Sequence, residues 1–195
     1  MSADGATSGL ILAAGDGGRF GPRSKLLAEL WGRPLLEHAL RAQAGVGELE
    51  RIVVVLGAHA DDVRAGVELG RAQPVVCERW ADGMAASLRT GAAALADAER
   101  VIVTLGDSPT VTAEVVRRFL AAPAGARAVY GGRPGHPVVL GGEQLVALRS
   151  LSGDVGARAL LGGGPLIECS DLCSGRDVDT VQDLEEIRDE ARAVV

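Results

Sequence analysis

The chemistry of this chain gathers around one lysine. Lys25 is the only lysine in the sequence, and every other fixed cation is an arginine. It closes the run Leu12-Ala13-Ala14-Gly15-Asp16-Gly17-Gly18-Arg19-Phe20-Gly21-Pro22-Arg23-Ser24-Lys25. Glycines carry no Cβ, so backbone N–H groups in such a loop can come close to phosphate oxygens. Arg19 and Lys25 add mobile positive charge, and a compact ammonium is a different instrument from a planar guanidinium. In a chain of net charge −6, that grouping points to a polyphosphate. The plainer use is a flexible turn with solvated charges. Two other glycine motifs do not fit. A Walker loop ends in Gly-Lys-Ser/Thr, whereas this run ends Ser24-Lys25-Leu26. A dinucleotide fingerprint needs G-x-G-x-x-G, but the sixth position is Phe20 and the third glycine falls one residue late, at Gly21.

Carboxylates that could complement those cations lie far along the chain. Asp107 follows the apolar run 101–105 (VIVTL), which places it just past the carboxyl end of a buried strand, where α/β sheets bind ligands. Asp177 and Asp179 are two residues apart in an extended segment, so they point to one side. Hard cations such as Mg²⁺ take one or two carboxylates plus substrate phosphates, and Asp107 with Asp177 or Asp179 makes such a set. Each also has a simpler use. Asp107 could cap a turn, and Asp177 or Asp179 could complement the N-terminus of the last helix. Ser87 lies in Gly83-Met84-Ala85-Ala86-Ser87-Leu88, a small-residue helix start that permits close approach. His136 and Asp154 sit in short glycine-bearing stretches, 135–138 and 153–158, that could equally be turns.

Positioning these groups requires strands that alternate with helices. Strands are expected at 9–14 (GLILAA), 51–56 (RIVVVL), 74–77 and 100–105 (RVIVTL), with helices at 34–44, 60–69, 84–95 and 112–120. The strand runs are too apolar for a sheet covered on one face only, which implies a mostly parallel, doubly wound α/β sheet. Beyond residue 121 the pattern loosens. Short strands are expected at 128–130 and 138–140 around a Gly/Pro-rich turn at 131–137, then a helix at 153–161. Thr180 with Asp183 three residues on marks the N-terminus of a last helix over 180–193. The segment from about 131 to 177 reads as a substrate-side elaboration. Residues 1–8 read as a short disordered leader and 9–195 as a single domain.

Composition excludes several classes. Apolar residues make up 47% of the chain, ample for a core, but aromatics only 3%, so Ala, Leu and Val must fill it. The acidic balance argues against a nucleic-acid partner, because phosphate backbones select basic surfaces. No run of 18 apolar residues is present for a membrane span, and the N-terminus lacks the pattern of a signal peptide. Cys77, Cys169 and Cys173 are an odd number for a disulfide framework. They read as reduced thiols of a cytoplasmic protein.

Taken in order, these motifs resemble those of the MobA-like NTP transferases, and most closely the molybdenum cofactor cytidylyltransferase branch. The likeness runs from about residue 10 to 184. The first loop is similar to the family signature L-A-A-G-x-x-x-R-x-G…K, residues 105–109 to L-x-D-x-P, residues 84–88 to M-x-x-S-L, and residues 177–184 to D-I-D-T-P-E-D-L. The stretches 135–137 and 153–158 follow in family order. Three departures stand out: Phe20 replaces the motif methionine, Pro22-Arg23-Ser24 lengthens the approach to Lys25, and Gly106 and Ser108 replace bulkier neighbours of Asp107. The resemblance implies a Rossmann-like nucleotide-diphospho-sugar transferase fold and transfer of a nucleoside monophosphate from a triphosphate to a phosphorylated acceptor such as molybdopterin. It implies that Arg19, Lys25 and Asp107 are catalytic. It also implies that Asp107 with Asp177 or Asp179 holds Mg²⁺. Leu12, Ala13, Ala14, Gly15, Gly17, Gly18 and Ser87 would line the nucleotide, with His136 and Asp154 on the acceptor side. Relatives that use guanosine tend to carry L-A-G-G, so Leu12-Ala13-Ala14-Gly15 favours CTP over GTP. Two other classes remain open on the residues: an NAD(P)H-dependent reductase on the same fold, and a nucleotide-binding protein without catalysis.

Overall fold

The computed structural model describes residues 6–21, 23–154 and 156–192. In chain order the elements are β1 (Thr7–Ala13), a small hairpin of β2 (Glu29–Leu30) and β3 (Arg33–Pro34), α1 (Leu35–Ala44), β4 (Ile52–Leu56), α2 (Ala60–Gly66), β5 (Gln73–Val76), α3 (Met84–Ala94), β6 (Arg100–Leu105), α4 (Ala113–Arg118), β7 (Arg127–Tyr130), β8 (Arg133–Leu140), α5 (Gly142–Ala147), β9 (Leu166–Glu168) and α6 (Val181–Arg192). Among the described residues no helix is long and apolar enough to cross a membrane.

A seven-stranded sheet in the order β5-β4-β1-β6-β8-β7-β9 forms the frame. Strands β5, β4, β1 and β6 run parallel. β8 is antiparallel to β6 and β7, and β9 rejoins β7 in parallel. Alternation sorts the side chains onto two cores. Ile11, Val54, Leu56 and Ile102 pack with Leu36, Ala39 and Leu40 of α1 on one face. Leu10, Leu12, Val53, Val55 and Val103 pack with Ala86 and Leu88 of α3 on the other. Helices on both faces are why β4 is apolar at every position. From β1 the chain moves outward to β4 and β5, then returns to lay β6 on the opposite side of β1. The carboxyl ends of β1 and β6 therefore border a topological switch point, where open α/β sheets leave a crevice.

Several elements differ from the sequence expectation. Thr7 and Ser8, expected in the leader, pair with Arg100 and Val101 and extend β1, while residues 1–5 of that leader lie outside the described residues. Helix α2 stops at Gly66 rather than at residue 69. The Glu68 N–H instead donates to the buried Glu37 carboxylate at 3.0 Å, which draws the chain away from the helix. The expected turn at 131–137 contracts to Gly131 and Gly132, both at positive φ (57° and 82°). Two such residues make the tight reversal that hairpins favour, so pairing resumes at once with Arg133 opposite Tyr130. The expected helix at 153–161 is only a 3₁₀ turn, Ala157–Leu160. Its first residues are tied to α3 instead: the Ala85 N–H donates to the Gly153 carbonyl at 3.2 Å. Val155 and residues 193–195 lie outside the described residues.

Candidate functional site

The crevice is a cavity of about 930 Å³. Leu12 to Arg19 and Lys25 line it from the loop after β1, Leu105 and Asp107 from the end of β6, Asp179 from the segment before α6, and Ser87 from α3. Pro22 of that loop lies outside the described residues.

Lys25 is held where the three charged segments meet. Its Nζ lies 2.6 Å from Asp107 Oδ2 and 3.1 Å from Asp179 Oδ1, and it donates to the Val178 carbonyl at 2.8 Å. Burial alone would lower the pKa of this ammonium. The Asp107 charge and the hydrogen bonds to Asp107 and Asp179 outweigh burial and hold it above the ordinary value. Gly17 makes room for the lysine stem: its φ is +67°, and a Cβ there would stand 3.2 Å from Lys25 Cγ. Arg19 reaches Asp179 Oδ2 at 2.9 Å with a side chain three-quarters exposed, so it is a movable arm.

Asp107 is placed by close backbone packing. Its predecessor Gly106 donates to the Leu12 carbonyl at 2.8 Å, and a Cβ at Gly106 would lie 2.8 Å from Leu36 and 2.9 Å from Ala13. That explains why a small residue stands beside the aspartate. The Asp107 carbonyl accepts from the Val178 N–H at 2.9 Å, which joins the end of β6 to the segment before α6. The cap of α6 is neither Asp177 nor Asp179. Thr180 and Asp183 form it, with the Thr180 N–H donating to Asp183 Oδ2 at 2.7 Å and the Asp183 N–H to Thr180 Oγ1 at 3.1 Å. This leaves the Asp179 carboxylate to face Lys25 and Arg19.

Asp177 does not line the cavity. Its carboxylate accepts a hydrogen bond from the buried Ser108 hydroxyl. The residue is exposed at the surface, yet its carboxyl pKa is raised to about 6, by desolvation among the surrounding atoms first and by the Asp107 charge second. His136 also stands apart from the cavity. Its imidazole is lowered to about 4 by burial and then by the Arg127 charge, so it is neutral near pH 7. Asp154 lines the same cavity as Ser87, and its Oδ1 accepts from the Met84 N–H at the start of α3, 3.4 Å away.

The donor set suits a hard divalent cation. Asp107 Oδ2 and Asp179 Oδ1 converge on one ammonium, and the same two oxygens, with phosphate and water, match the ligands Mg²⁺ takes. Among the described residues, no group of three or more His, Cys, Asp or Glu side chains could hold a metal ion by itself. A cation here would need oxygens from the substrate. The three cysteines are free thiols.

Trp80 and Asp82 also line the cavity, and the sequence reading missed them, though it did single out Gly83 at the start of α3. One signal was available: Trp80 is one of only two tryptophans in an aromatic-poor chain, and it stands three residues before the glycine that opens α3.

The chain is similar to known proteins. Residues 9–169 match the family described as the MobA-like NTP transferase domain. The nicotine blue oxidoreductase of Paenarthrobacter nicotinovorans is 36% identical over 192 residues, covering 91% of this chain and 94% of that protein. The bifunctional protein GlmU of Caulobacter vibrioides is 41% identical over 117 residues, which is 55% of this chain but 24% of that protein. The chain thus spans about a quarter of the length of that relative. Among solved structures, Rv0371c from Mycobacterium tuberculosis H37Rv superposes with a TM-score of 0.81 at 28% identity, covering 96% of this chain and 100% of that one. The manganese complex of the same protein gives a TM-score of 0.77 at 27% identity over 94% and 98% of the two chains.

Proposed function

This chain belongs to the MobA-like NTP transferase family, and we propose that it transfers a nucleoside monophosphate from CTP, in preference to GTP, to a phosphorylated small-molecule acceptor such as molybdopterin. The observation that carries the proposal is the position of Lys25. Its ammonium lies between Asp107 and Asp179 at the carboxyl ends of β1 and β6, inside a cavity bordered by a glycine-rich loop.

In the proposed reaction, an oxygen of the acceptor phosphate attacks the α-phosphorus. A new P–O bond forms, the bond to the β-phosphate oxygen breaks, and pyrophosphate leaves with that electron pair. The attacking phosphate is already ionised, so no general base is required. Charge grows on the α-phosphate and the leaving pyrophosphate, and catalysis is mainly positioning and electrostatics. Lys25 and Arg19 bind phosphate oxygens, and the backbone of residues 13–18 lines the nucleotide. Asp107 and Asp179 would hold Mg²⁺, which would supply positive charge against the phosphate oxygens. Asp177, through Ser108, supports the end of β6 from behind. Asp154 borders the acceptor side, and His136, expected there as well, stands apart from the cavity. The protein works as a cytoplasmic enzyme in this reading.

A second reading rests on one observation, the likeness to nicotine blue oxidoreductase over nearly the full length of both chains. In that reading the cavity takes NAD(P)H and the chain transfers hydride. Thermal shift with CTP, GTP and NADPH, each with and without Mg²⁺, separates the two. The transferase reading expects a Mg²⁺-dependent rise with CTP, and pyrophosphate release once a phosphorylated acceptor is added. A rise with NADPH alone, independent of Mg²⁺, would overturn it in favour of the reductase.

A further inference from the structure

The geometry points to Trp80 as the wall on which the nucleobase stacks, and so as a residue that determines nucleotide affinity. The inference rests on the nucleotidyl-transfer reading and assigns a part of the cavity that the charged residues leave undefined.

The chain holds two tryptophans, one tyrosine and two phenylalanines. Trp80 is the one aromatic residue among those described as lining the cavity. It sits at the far side from the phosphate-binding charges. Asp107 follows β6 on one side of β1, whereas Trp80 follows β5, beyond β4 on the other side. A cavity with cations and carboxylates at one end and an aromatic wall at the other has the polarity of a nucleoside triphosphate.

The placement of Trp80 is tight. Its N–H donates to the Cys77 carbonyl at 3.2 Å, and its carbonyl accepts from the Gly83 N–H at 3.2 Å, which closes a 3₁₀ turn over Trp80–Asp82. A Cβ at Gly57 would lie 2.7 Å from Trp80 Cβ and 2.3 Å from the Ala14 carbonyl oxygen. Glycine at 57 is therefore what lets Trp80 close against the first residue of the phosphate loop. The indole is half-buried and packs on the apolar cluster that contains Ala14 and Cys77. Around it the lining is apolar or backbone: Leu12, Ala81, Gly83 and Met84. Two acids also line this part of the cavity: Asp82, paired with Arg79 at 2.5 Å, and Asp154, whose Oδ1 accepts from the Met84 N–H at 3.4 Å. A rigid π-surface without charge is what the face of a base takes, while Ser87 and the backbone of residues 13–15 remain for its polar edge.

The test uses the fact that the other tryptophan is elsewhere. Trp31 lies at the β2–β3 hairpin, edge-on to His38. The Trp31→Phe protein therefore reports Trp80 alone. It is titrated with CTP, GTP and inorganic tripolyphosphate, each with Mg²⁺, with binding followed in parallel by calorimetry. CTP or GTP is expected to quench the fluorescence of Trp80, and tripolyphosphate to bind without quenching. Trp80→Ala is expected to raise the nucleotide Kd about 5- to 100-fold while leaving the tripolyphosphate Kd unchanged. Trp80→Phe keeps an aromatic face and most of the affinity, and it also covers the case in which the alanine variant fails to fold. Nucleotide that binds in the calorimeter without altering Trp80 fluorescence, or equal quenching by tripolyphosphate, overturns the assignment and leaves the transferase reading standing. A parent protein that binds no nucleoside triphosphate overturns both.

Discussion

At the end of the cavity beside β6, Lys25, Asp107, Asp179 and Arg19 come from three separate segments and are held by one another's charges. At the end beside β5, Trp80 is held by backbone hydrogen bonds and by a glycine gap, with no charge involved. The contrast separates two kinds of preorganisation. The charged end is a balanced cluster in which an incoming phosphate competes with carboxylates for Lys25, and an incoming cation competes with Lys25 for carboxylates. Each ligand relieves the opposition to the other, so metal and triphosphate should bind better together than apart. The uncharged end is a fixed surface with nothing to displace. Substitutions at the first should act steeply and respond to salt; substitutions at the second should act moderately and ignore it.

The largest expected effect is at Asp107. Asp107→Asn keeps the volume but removes a proposed metal arm and the carboxylate nearest Lys25. Pyrophosphate release should fall about 100- to 1,000-fold, with the protein still folded. Full, Mg²⁺-dependent turnover with CTP in this variant would show that the charged end is not where the reaction occurs. Next comes Lys25→Ala, which deletes a charge-assisted contact to phosphate of about 1.5–3 kcal/mol, or roughly 10- to 150-fold in affinity or rate. Lys25→Arg should recover only part of this, because a planar fork does not fit a site shaped for a point charge. An arginine variant with parental rates would reduce Lys25 to a generic cation. A smaller effect is expected at Thr180, whose capping bond with Asp183 fixes the segment that presents Asp179. Thr180→Ala should cost about 1 kcal/mol, about 2–4 °C in Tm for a chain of this size. Its Kd for nucleotide should rise less than that of Lys25→Ala. A loss of nucleotide binding as large as that of Lys25→Ala would mean the segment contributes more to the charged end than Asp179 alone.

The two ends also differed in how legible they were. The charged end could be read because its residues are rare or sit at recognisable boundaries: a single lysine after a glycine run, and Asp107 just past a buried, mostly apolar strand. The parallel strands β1, β4 and β6 could be read for the same reason, since burial on both faces writes a continuous apolar run. The uncharged end could not, because its chemistry lies in one aromatic residue whose importance depends on a distant glycine at 57. The place of Asp154 was suggested by the family resemblance alone, not by its own loop. It borders the cavity because the loop before residue 157 folds onto the start of α3, where Gly83 at φ +98° leaves no room for a Cβ, 2.7 Å from the Asp154 nitrogen. Past residue 121 the pattern failed for local reasons. Gly131 and Gly132 alone suffice for the reversal, so the proline-bearing stretch after them joins β8 instead of the turn. β9 is three residues long, at the sheet edge and largely exposed, so burial imposes little pattern on it. The short α5 contains no buried residue.

His136 belongs to neither end of the cavity, and the smallest predicted effect tests that separation. Burial and the Arg127 charge lower its imidazole to about 4, against an ordinary value of 6.5. Between those values the unfolded chain binds a proton that the folded chain refuses. Stability from this group is therefore fully present above about pH 6.5 and is lost as pH falls toward 4. His136→Asn cannot take up the proton, so its Tm should decline less between pH 7 and pH 5. Part of the residue meets solvent, which limits the difference to about 1–3 °C. The carbonyl of residue 136 would still accept from the Tyr130 hydroxyl, 2.5 Å away, so the hairpin should hold and the two melting profiles should differ in slope. Nucleotide affinity at pH 7 should be the parental one, since the imidazole touches neither Lys25 nor Trp80. If His136→Asn instead weakened CTP binding at pH 7 while melting in parallel with the parent at every pH, the imidazole would have to reach the nucleotide, and the division of the cavity into a charged end and an aromatic end would need a third member.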